Sequence, residues 1–342
     1  MRKAIKYFLG IFATMMVLPT YAFPCSEIYL EQQAMVSART FDFPIVDGAI
    51  AIAPRGTQRI SNVNDIKQQP FSWTSKYGSV IFCFQLPKKG AVSPVGKDVV
   101  LCGVDGINEY GFKVGTYYLG CSEYLMPDER PVLDAATWMQ YYLDSFKTVE
   151  EAVQFAKDKK PYRVISTVND SIEIKIHMYI HDKTGDSAIL EYLSGEMKIY
   201  RNPIVTVLTN NPYEESLEEL RKYNTFGGTE VIPGSKDSLD RFVRGAYYLK
   251  RAPDNKTKQE VVDNAIAIIQ ILTTPPIFKD EAIIEKFSCY TLWTIVTDII
   301  DCKVYYRTCH GPNFKAIDLN DINFSEDQAM RFIPLAGNSL PE

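Results

Sequence analysis

The chain is short of the features that mark several common functions. It has three histidines, His177, His181 and His310, and no closely spaced pair of cysteines near any of them. That argues against a zinc site. It has no surplus of basic residues: 37 Lys and Arg against 42 Asp and Glu give a formal charge of -5 and a pI near 5.5. A basic footprint for nucleic acid is therefore missing. No repeat and no low-complexity linker interrupts the sequence, so a single domain is expected over residues 25–342. Past the first 22 residues no apolar run is long enough to span a membrane, and Ala265 to Leu272, apolar apart from Gln270, has only the length of a core helix. No Ser/His/Asp arrangement or papain-like cysteine signature stands out.

What is present begins at the N-terminus. Arg2, Lys3 and Lys6 precede an apolar stretch, Tyr7 to Leu18, broken only by Gly10 and Thr14, and Thr20-Tyr21-Ala22 is a small-x-small cleavage pattern. This reads as a secretory signal over residues 1–22 rather than an anchor, because a spanning helix needs roughly 20 apolar residues. Its removal takes away three positive charges and changes the formal charge from -5 to -8. The expected location is outside the cytoplasm, periplasmic or secreted, with no stable membrane anchor.

Export carries seven cysteines, Cys25, Cys83, Cys102, Cys121, Cys289, Cys302 and Cys309, into an oxidising compartment. If one thiol stays free for chemistry, the other six can form up to three bridges. Buried free thiols are the equally weighted alternative, and the sequence alone pairs none of them.

Short runs rich in apolar and β-branched residues predict strands at Ser26 to Leu30, Met35 to Arg39, Ala49 to Ala53, Ser79 to Gln85 and Val99 to Val104. Asn108-Glu109-Tyr110-Gly111 is a turn signal before a further strand from Phe112 to Leu119. Helices are predicted over Asp134 to Phe146 and after Thr148-Val149-Glu150-Glu151, which reads as a capping box. A hairpin of Lys175 to His181 and Ser187 to Tyr192 follows, then strands at Glu196 to Arg201 and Ile204 to Thr209. Helices at Asp240 to Arg251 and Lys258 to Leu272 precede closing strands at Tyr290 to Ile300 and Lys303 to Arg307. Strands and helices that come in separate groups indicate an α+β layered fold.

Cys25 lies three residues beyond the predicted cleavage. At a mature N-terminus a cysteine carries its own general base, since its α-amine has an unperturbed pKa near 8. The bland alternatives are a structural thiol or a lipid anchor, and Pro24 stands where an anchor motif wants a small residue. Downstream, Arg39-Thr40-Phe41-Asp42 ends the next strand. A hairpin would return that end beside Cys25, with Asp42 near the amine and Arg39 near the sulfur. The commoner fate of such a pair is a surface ion pair.

Cys25 followed by Arg39-Thr40-Phe41-Asp42 resembles the start of the choloylglycine hydrolase family, which includes bile salt hydrolases and penicillin V acylases. Asp105 to Gly111 resembles the family's DGxNExG turn, and Asp182 to Tyr192 its hairpin. Asn202-Pro203 with Val207 to Pro212 resembles its NP…LTNxP segment. Asp240-Arg241-Phe242-Val243-Arg244 resembles its SRFxR helix start, with aspartate in place of the usual serine, and Thr291 to Asp298 resembles its last core strand. The matches are in order and run from Cys25 to about Leu319.

The resemblance implies an α+β four-layer αββα sandwich of the N-terminal-nucleophile hydrolase type, with two stacked antiparallel sheets. It implies that Cys25 is the nucleophile and Asp42 orients its amine. Arg39 and Arg241 would stabilise charge, while Asn210 and the backbone N–H of Tyr118 donate to the oxyanion. It implies a small N-acyl amide as substrate, such as penicillin V, a conjugated bile salt or an acyl-homoserine lactone, no metal or organic cofactor, and a homotetramer. Phe23-Pro24 must leave before the amine exists. A non-catalytic exported binding protein on the same fold is the competing reading. Taken without the resemblance, Asn210 is a turn residue, Arg241 a helix-face ion pair, and the three histidines structural or solvated.

Overall fold

The structure is a computed structural model that describes residues 24–43, 48–63, 67–87, 99–158, 160–169, 172–275 and 289–335. The predicted leader and Phe23 lie outside the described residues.

Two antiparallel sheets form the centre. One runs in the order β10-β1-β2-β11-β12-β13, where β1 is Ser26–Glu31, β2 Met35–Phe43, β10 Val207–Leu208, β11 Tyr290–Asp298, β12 Lys303–Thr308 and β13 Lys315–Asp318. The other runs in the order β9-β8-β7-β6-β5-β4-β3-β14. Its strands are β3 Gly48–Ala53, β4 Ser79–Pro87, β5 Val99–Asn108, β6 Lys113–Tyr118, β7 Ile176–His181, β8 Ser187–Leu193, β9 Glu196–Arg201 and β14 Arg331–Leu335. Helices α1 (Ala135–Ser145) and α2 (Val149–Lys157) pack on the eight-stranded sheet. Helices α4 (Ser238–Leu249) and α5 (Lys258–Gln270) pack on the six-stranded one, and α3 (Tyr213–Leu220) packs against α4. The result is the expected αββα sandwich. Among the described residues no helix is long and apolar enough to cross a membrane.

Strand β2 shows how the layers are encoded. Its residues alternate in facing. Ser37, Arg39, Phe41 and Phe43 point to the other sheet, where Phe41 packs on Phe84 with ring centroids 5.4 Å apart. Asp42 lies on the opposite face and bonds Thr274, just beyond α5. Pairing of β1 with β2 sets Ser26 opposite Thr40, so the expected hairpin forms and returns the end of β2 to the start of β1.

The turn at Asn108 also forms as read. Its Oδ1 accepts from the N–H groups of Tyr110 and Phe112, and Gly111 takes a φ of 83° that suits glycine. Three expectations are corrected. The predicted strand Ile204 to Thr209 shrinks to Val207–Leu208, whose only partner strand is β1. Glu151 does not close a capping box: Thr148 accepts from the Glu151 N–H, but the carboxylate reaches the N–H of Lys147 instead of the cap. The box with both halves is at Thr257 and Glu260, opening α5. Finally, α3 went unread, because YEESLEEL has three buried positions and a proline cap without a side-chain bond.

The inner face is not wholly apolar. Glu27 on β1 is fully buried and accepts from Lys113 Nζ at 2.8 Å, His181 Nε2 at 2.7 Å and Ser37 Oγ at 2.6 Å, with the Tyr117 hydroxyl also bonded to it. Lys113 further reaches Asp105 at 3.1 Å. Gly115 leaves room for this cluster, since a Cβ there would lie 2.8 Å from both Glu27 Oε2 and Lys113 Nζ. Burial alone would raise the Glu27 pKa, but Lys113 and His181 hold it well below the usual carboxylate range. A depressed acid contributes stability above its unfolded value of about 4.5, and that contribution is lost as pH falls below it. Removing the carboxylate strands Lys113 between the sheets. Glu27→Ala is therefore expected to cost about 3–5 kcal/mol, measured by urea unfolding at pH 7. A loss near that of Ser37→Ala would show that the buried pair is not what holds the sheets.

Candidate active site

The site forms where β5 and β6 part. Their pairing covers Asp105↔Gly115 to Ile107↔Lys113 and stops there. Beyond it, backbone carbonyls need other donors. Arg39 supplies them: Nη1 bonds Thr116 O at 3.2 Å and also Val104 O, while Thr116 Oγ1 bonds Gly103 O at 3.1 Å. The guanidinium lies 4.7 Å from the centroid of the Tyr117 ring and 3.9 Å from the Asp105 carboxylate. The Leu119 N–H bonds Lys175 O at 2.9 Å. By strand alternation the Tyr118 N–H turns the other way, toward the opening beside β5.

Cys25 sits at the start of β1 with its Sγ 3.9 Å from the backbone oxygen of Asp42. Burial pushes the thiol pKa up, and the charges of Arg39 and Arg241 oppose that rise. On the helix side of the sheet, Arg241 gathers the remaining groups. Its Nη1 donates to Cys25 O and to Ser26 Oγ, both at 2.6 Å, and its Nη2 donates to Asn210 Oδ1 at 2.7 Å. Its Nε donates to Lys236 O at 2.9 Å. Burial lowers the Arg241 pKa to about 10, still cationic at neutral pH.

Asn210 is fixed from two sides. Its backbone N–H bonds Ser238 Oγ at 2.8 Å, and its Nδ2 donates to Tyr118 O at 2.9 Å. The carbonyl of the preceding residue, Thr209, meets His177 Nε2 at 2.9 Å, and the other nitrogen of that ring meets Glu191 at 3.0 Å. His177 and His181 are thus buried structural residues, and His310 is exposed.

Asp42 lies under the end of α5. Its two oxygens accept from Thr291 Oγ1 at 2.7 Å and Thr274 Oγ1 at 2.9 Å. Burial pushes its pKa up to about 6, against the pull of Arg241 and the threonines. Strand register places it beside the Pro24–Cys25 end of β1.

An apolar pocket of about 40 Å³ runs from Cys25 between the sheets, walled by Phe41, Phe84, Cys102, Ala136, Ile174 and Ile176. Among the described residues no group of His, Cys, Asp or Glu is arranged to hold a metal.

The six residues singled out from sequence, Cys25, Arg39, Asp42, Tyr118, Asn210 and Arg241, therefore meet in one place. One detail differs from the expectation: the Asn210 amide, read as an oxyanion donor, rests on the carbonyl of Tyr118. The expectation of up to three disulfides is corrected, because no disulfide joins any of the seven cysteines. Cys83 and Cys102 illustrate why: they are buried on adjacent strands, but Cys83 pairs with Gly103 and Cys102 with Phe84, so their side chains leave opposite faces of the sheet. Sequence reasoning also missed Thr274, Thr291, Ser26 and Ser238, which carry the hydrogen bonds. Isolated hydroxyl residues give no signal.

The family described as linear amide C-N hydrolases, choloylglycine hydrolase family, matches residues 25–332. The chain belongs to that family and is a linear amide hydrolase of the N-terminal-nucleophile type. It is 30% identical over 283 residues to the penicillin V acylase of Pectobacterium atrosepticum, covering 78% of this chain and 73% of that one. With the bile salt hydrolase/transferase of Lactiplantibacillus plantarum the identity is 25% over 249 residues, 63% of this chain and 72% of the other. The solved structure of penicillin V acylase from Agrobacterium tumefaciens superposes with a TM-score of 0.73 at 28% identity, over 92% of each chain. A mutant conjugated bile acid hydrolase from Clostridium perfringens shares the fold at a TM-score of 0.72 and 19% identity, over 90% of this chain and 96% of that one.

The threonine clamp on Asp42 can be tested directly. Thr291→Val removes a bond that favours the charged carboxylate, so the Asp42 pKa is expected to rise above about 6. Carboxyl-carbon NMR titration measures it. An unchanged or lower value would mean that the clamp does not govern this charge.

Proposed function

We propose that this chain is an exported cysteine hydrolase that releases an acyl group from small N-acyl amides, with Cys25 acting as an N-terminal nucleophile. The observation that carries the proposal is the single guanidinium of Arg241. It binds the Cys25 carbonyl and the Asn210 side chain together, and Asn210 in turn holds Tyr118.

The chemistry follows from those groups. Once Phe23-Pro24 are gone, the α-amine of Cys25 takes the proton of its thiol, and Asp42 holds the ammonium. The thiolate attacks the amide carbonyl. The developing oxyanion accepts from the Tyr118 N–H and from Asn210 Nδ2, which leaves its resting acceptor to do so. The C–N bond breaks, and the α-ammonium protonates the leaving amine. Water then attacks the thioester, its proton passes to the amine, and the acid leaves with the thiolate restored. No metal or organic cofactor takes part. The narrow, phenylalanine-walled pocket favours a flat or linear acyl group such as phenoxyacetyl or fatty acyl over a steroid. The basic n-region and apolar stretch of residues 1–22 support export.

Three outcomes test this. N-terminal sequencing of the exported protein is expected to start at Cys25; a start at Phe23 leaves the amine capped and sinks the mechanism. Cys25→Ala is expected to abolish turnover of penicillin V and of long-chain acyl-homoserine lactones, and a wild type that binds both without turnover would instead mark a binding protein. Asn210→Ala is expected to lower kcat by roughly 100- to 1000-fold. Activity within a few-fold of wild type would remove Asn210 from the oxyanion site.

A further inference from the structure

Past the threonine clamp two cavities lie side by side along β12. The first, about 370 Å³, is walled by Thr273, Thr274, Thr291 and Trp293. The second, about 360 Å³, is walled by Tyr306, Lys315, Ile333 and Leu335. They share Arg307, Thr308, His310 and Gly311. Neither wall contains an aspartate or glutamate. In a chain of net charge -5 that is a local reversal of sign.

Arg307 contacts the Phe314 ring, with its guanidinium carbon 5.4 Å from the centroid. Among the described residues no carboxylate forms an ion pair with Arg307 or with Lys315. A half-buried guanidinium in a concave site, ringed by threonine hydroxyls and without a counter-charge, suits an anion. The remaining walls, Trp293, Tyr306, Ile333 and Leu335, suit an apolar body.

We infer that the joined cavities bind an amphipathic organic anion, a carboxylate or sulfonate on an apolar chain or ring, with its head on Arg307 and its body along β12 and β14. This is not the reacting site. Across the sheet Arg307 pairs with Thr294, Thr294 with Thr40, and Thr40 with Ser26. Three strand spacings separate Arg307 from Ser26, roughly 14 Å. The two sites nevertheless share a wall, because Thr274 and Thr291 line the first cavity and hold Asp42. Occupancy therefore bears on the carboxylate beside Cys25.

Binding can be read without any turnover, so it stands or falls separately from the proposed reaction. The probe is sodium octanesulfonate, titrated calorimetrically into the full chain, with octanamide as the neutral counterpart. Binding is expected in wild type and not with octanamide. Arg307→Gln is expected to weaken it about tenfold or more, the loss of a charge-assisted contact, and Lys315→Gln to weaken it less. Equal affinity in wild type and Arg307→Gln overturns the site, as does sulfonate binding that phenoxyacetate displaces equally from both, which would belong to the pocket at Cys25. A parallel titration with phenoxyacetate separates the two sources of this chemistry. If Arg307→Gln weakens it too, the acid product is a ligand; if not, the site serves an unrelated amphiphile. The coupling is read from initial rates: octanesulfonate is expected to change them in wild type and not in Arg307→Gln, and equal rates in both would remove the link to Asp42.

Discussion

The constraint on which the structure depends is the burial of Glu27 between two sheets. A carboxylate out of water costs several kcal/mol unless it is paired and fully hydrogen-bonded. Here the eight-stranded sheet supplies Lys113, His181 and Tyr117, and the six-stranded sheet supplies Ser37. An apolar interface would tolerate a sliding of one sheet over the other. This one does not, because a shift of one residue would turn Glu27 or Lys113 to the opposite face. The same cluster passes through Asp105 to Arg39, whose guanidinium fills the opening between β5 and β6. The geometry near Cys25 is thereby tied to a charge pair deep in the sandwich.

The opening itself is a break in a rule. Adjacent strands that stop pairing leave carbonyls to satisfy, and two side chains, Arg39 and Thr116, do so in place of a strand. What is gained is space next to Cys25 and a backbone N–H at Tyr118 that faces it. On the other side of the sheet, Arg241 joins β1, Asn210 and the loop before α4 through four hydrogen bonds. The site is thus assembled by two buried arginines, one for each face of the six-stranded sheet. Lysine would not serve in either place, since only the planar fork reaches several acceptors at fixed angles.

How far the sequence discloses this depends on the kind of signal. The hairpin of β1 and β2 is legible from short β-rich runs, and the turn at Asn108 from its Asn and Gly. The six site residues were placed by resemblance to a family, not by pattern; on pattern alone Asn210 is a turn residue and Arg241 a surface ion pair. Glu27 and Lys113 were legible in principle, as charges at the inward positions of strands, and were passed over. Thr274 and Thr291 were not legible at all. They lie 17 residues apart and meet only because the end of α5 returns beside β11. The cysteines mislead in a different way. An odd count and an export signal suggest bridges, but pairing is decided by which face of a strand each side chain leaves, and that depends on register.

The electrostatics of the uncut chain add a final step to the proposed mechanism. Burial displaces both Cys25 and Asp42 from their charged forms, and each makes ionisation of the other harder. For Asp42 the sign is opposite to that of Glu27. Its folded value near 6 exceeds the unfolded 3.8, so stability falls as pH rises through that interval. The uncut chain therefore carries an unfavourable carboxylate at neutral pH and an unreactive thiol. An α-ammonium created at Cys25 lies between them and favours the charged form of both. On this reading the cut before Cys25 creates the base, lowers the thiol and relieves the buried carboxylate in one event. Maturation would then stabilise the site as it activates it, which is the reverse of the usual exchange of stability for function.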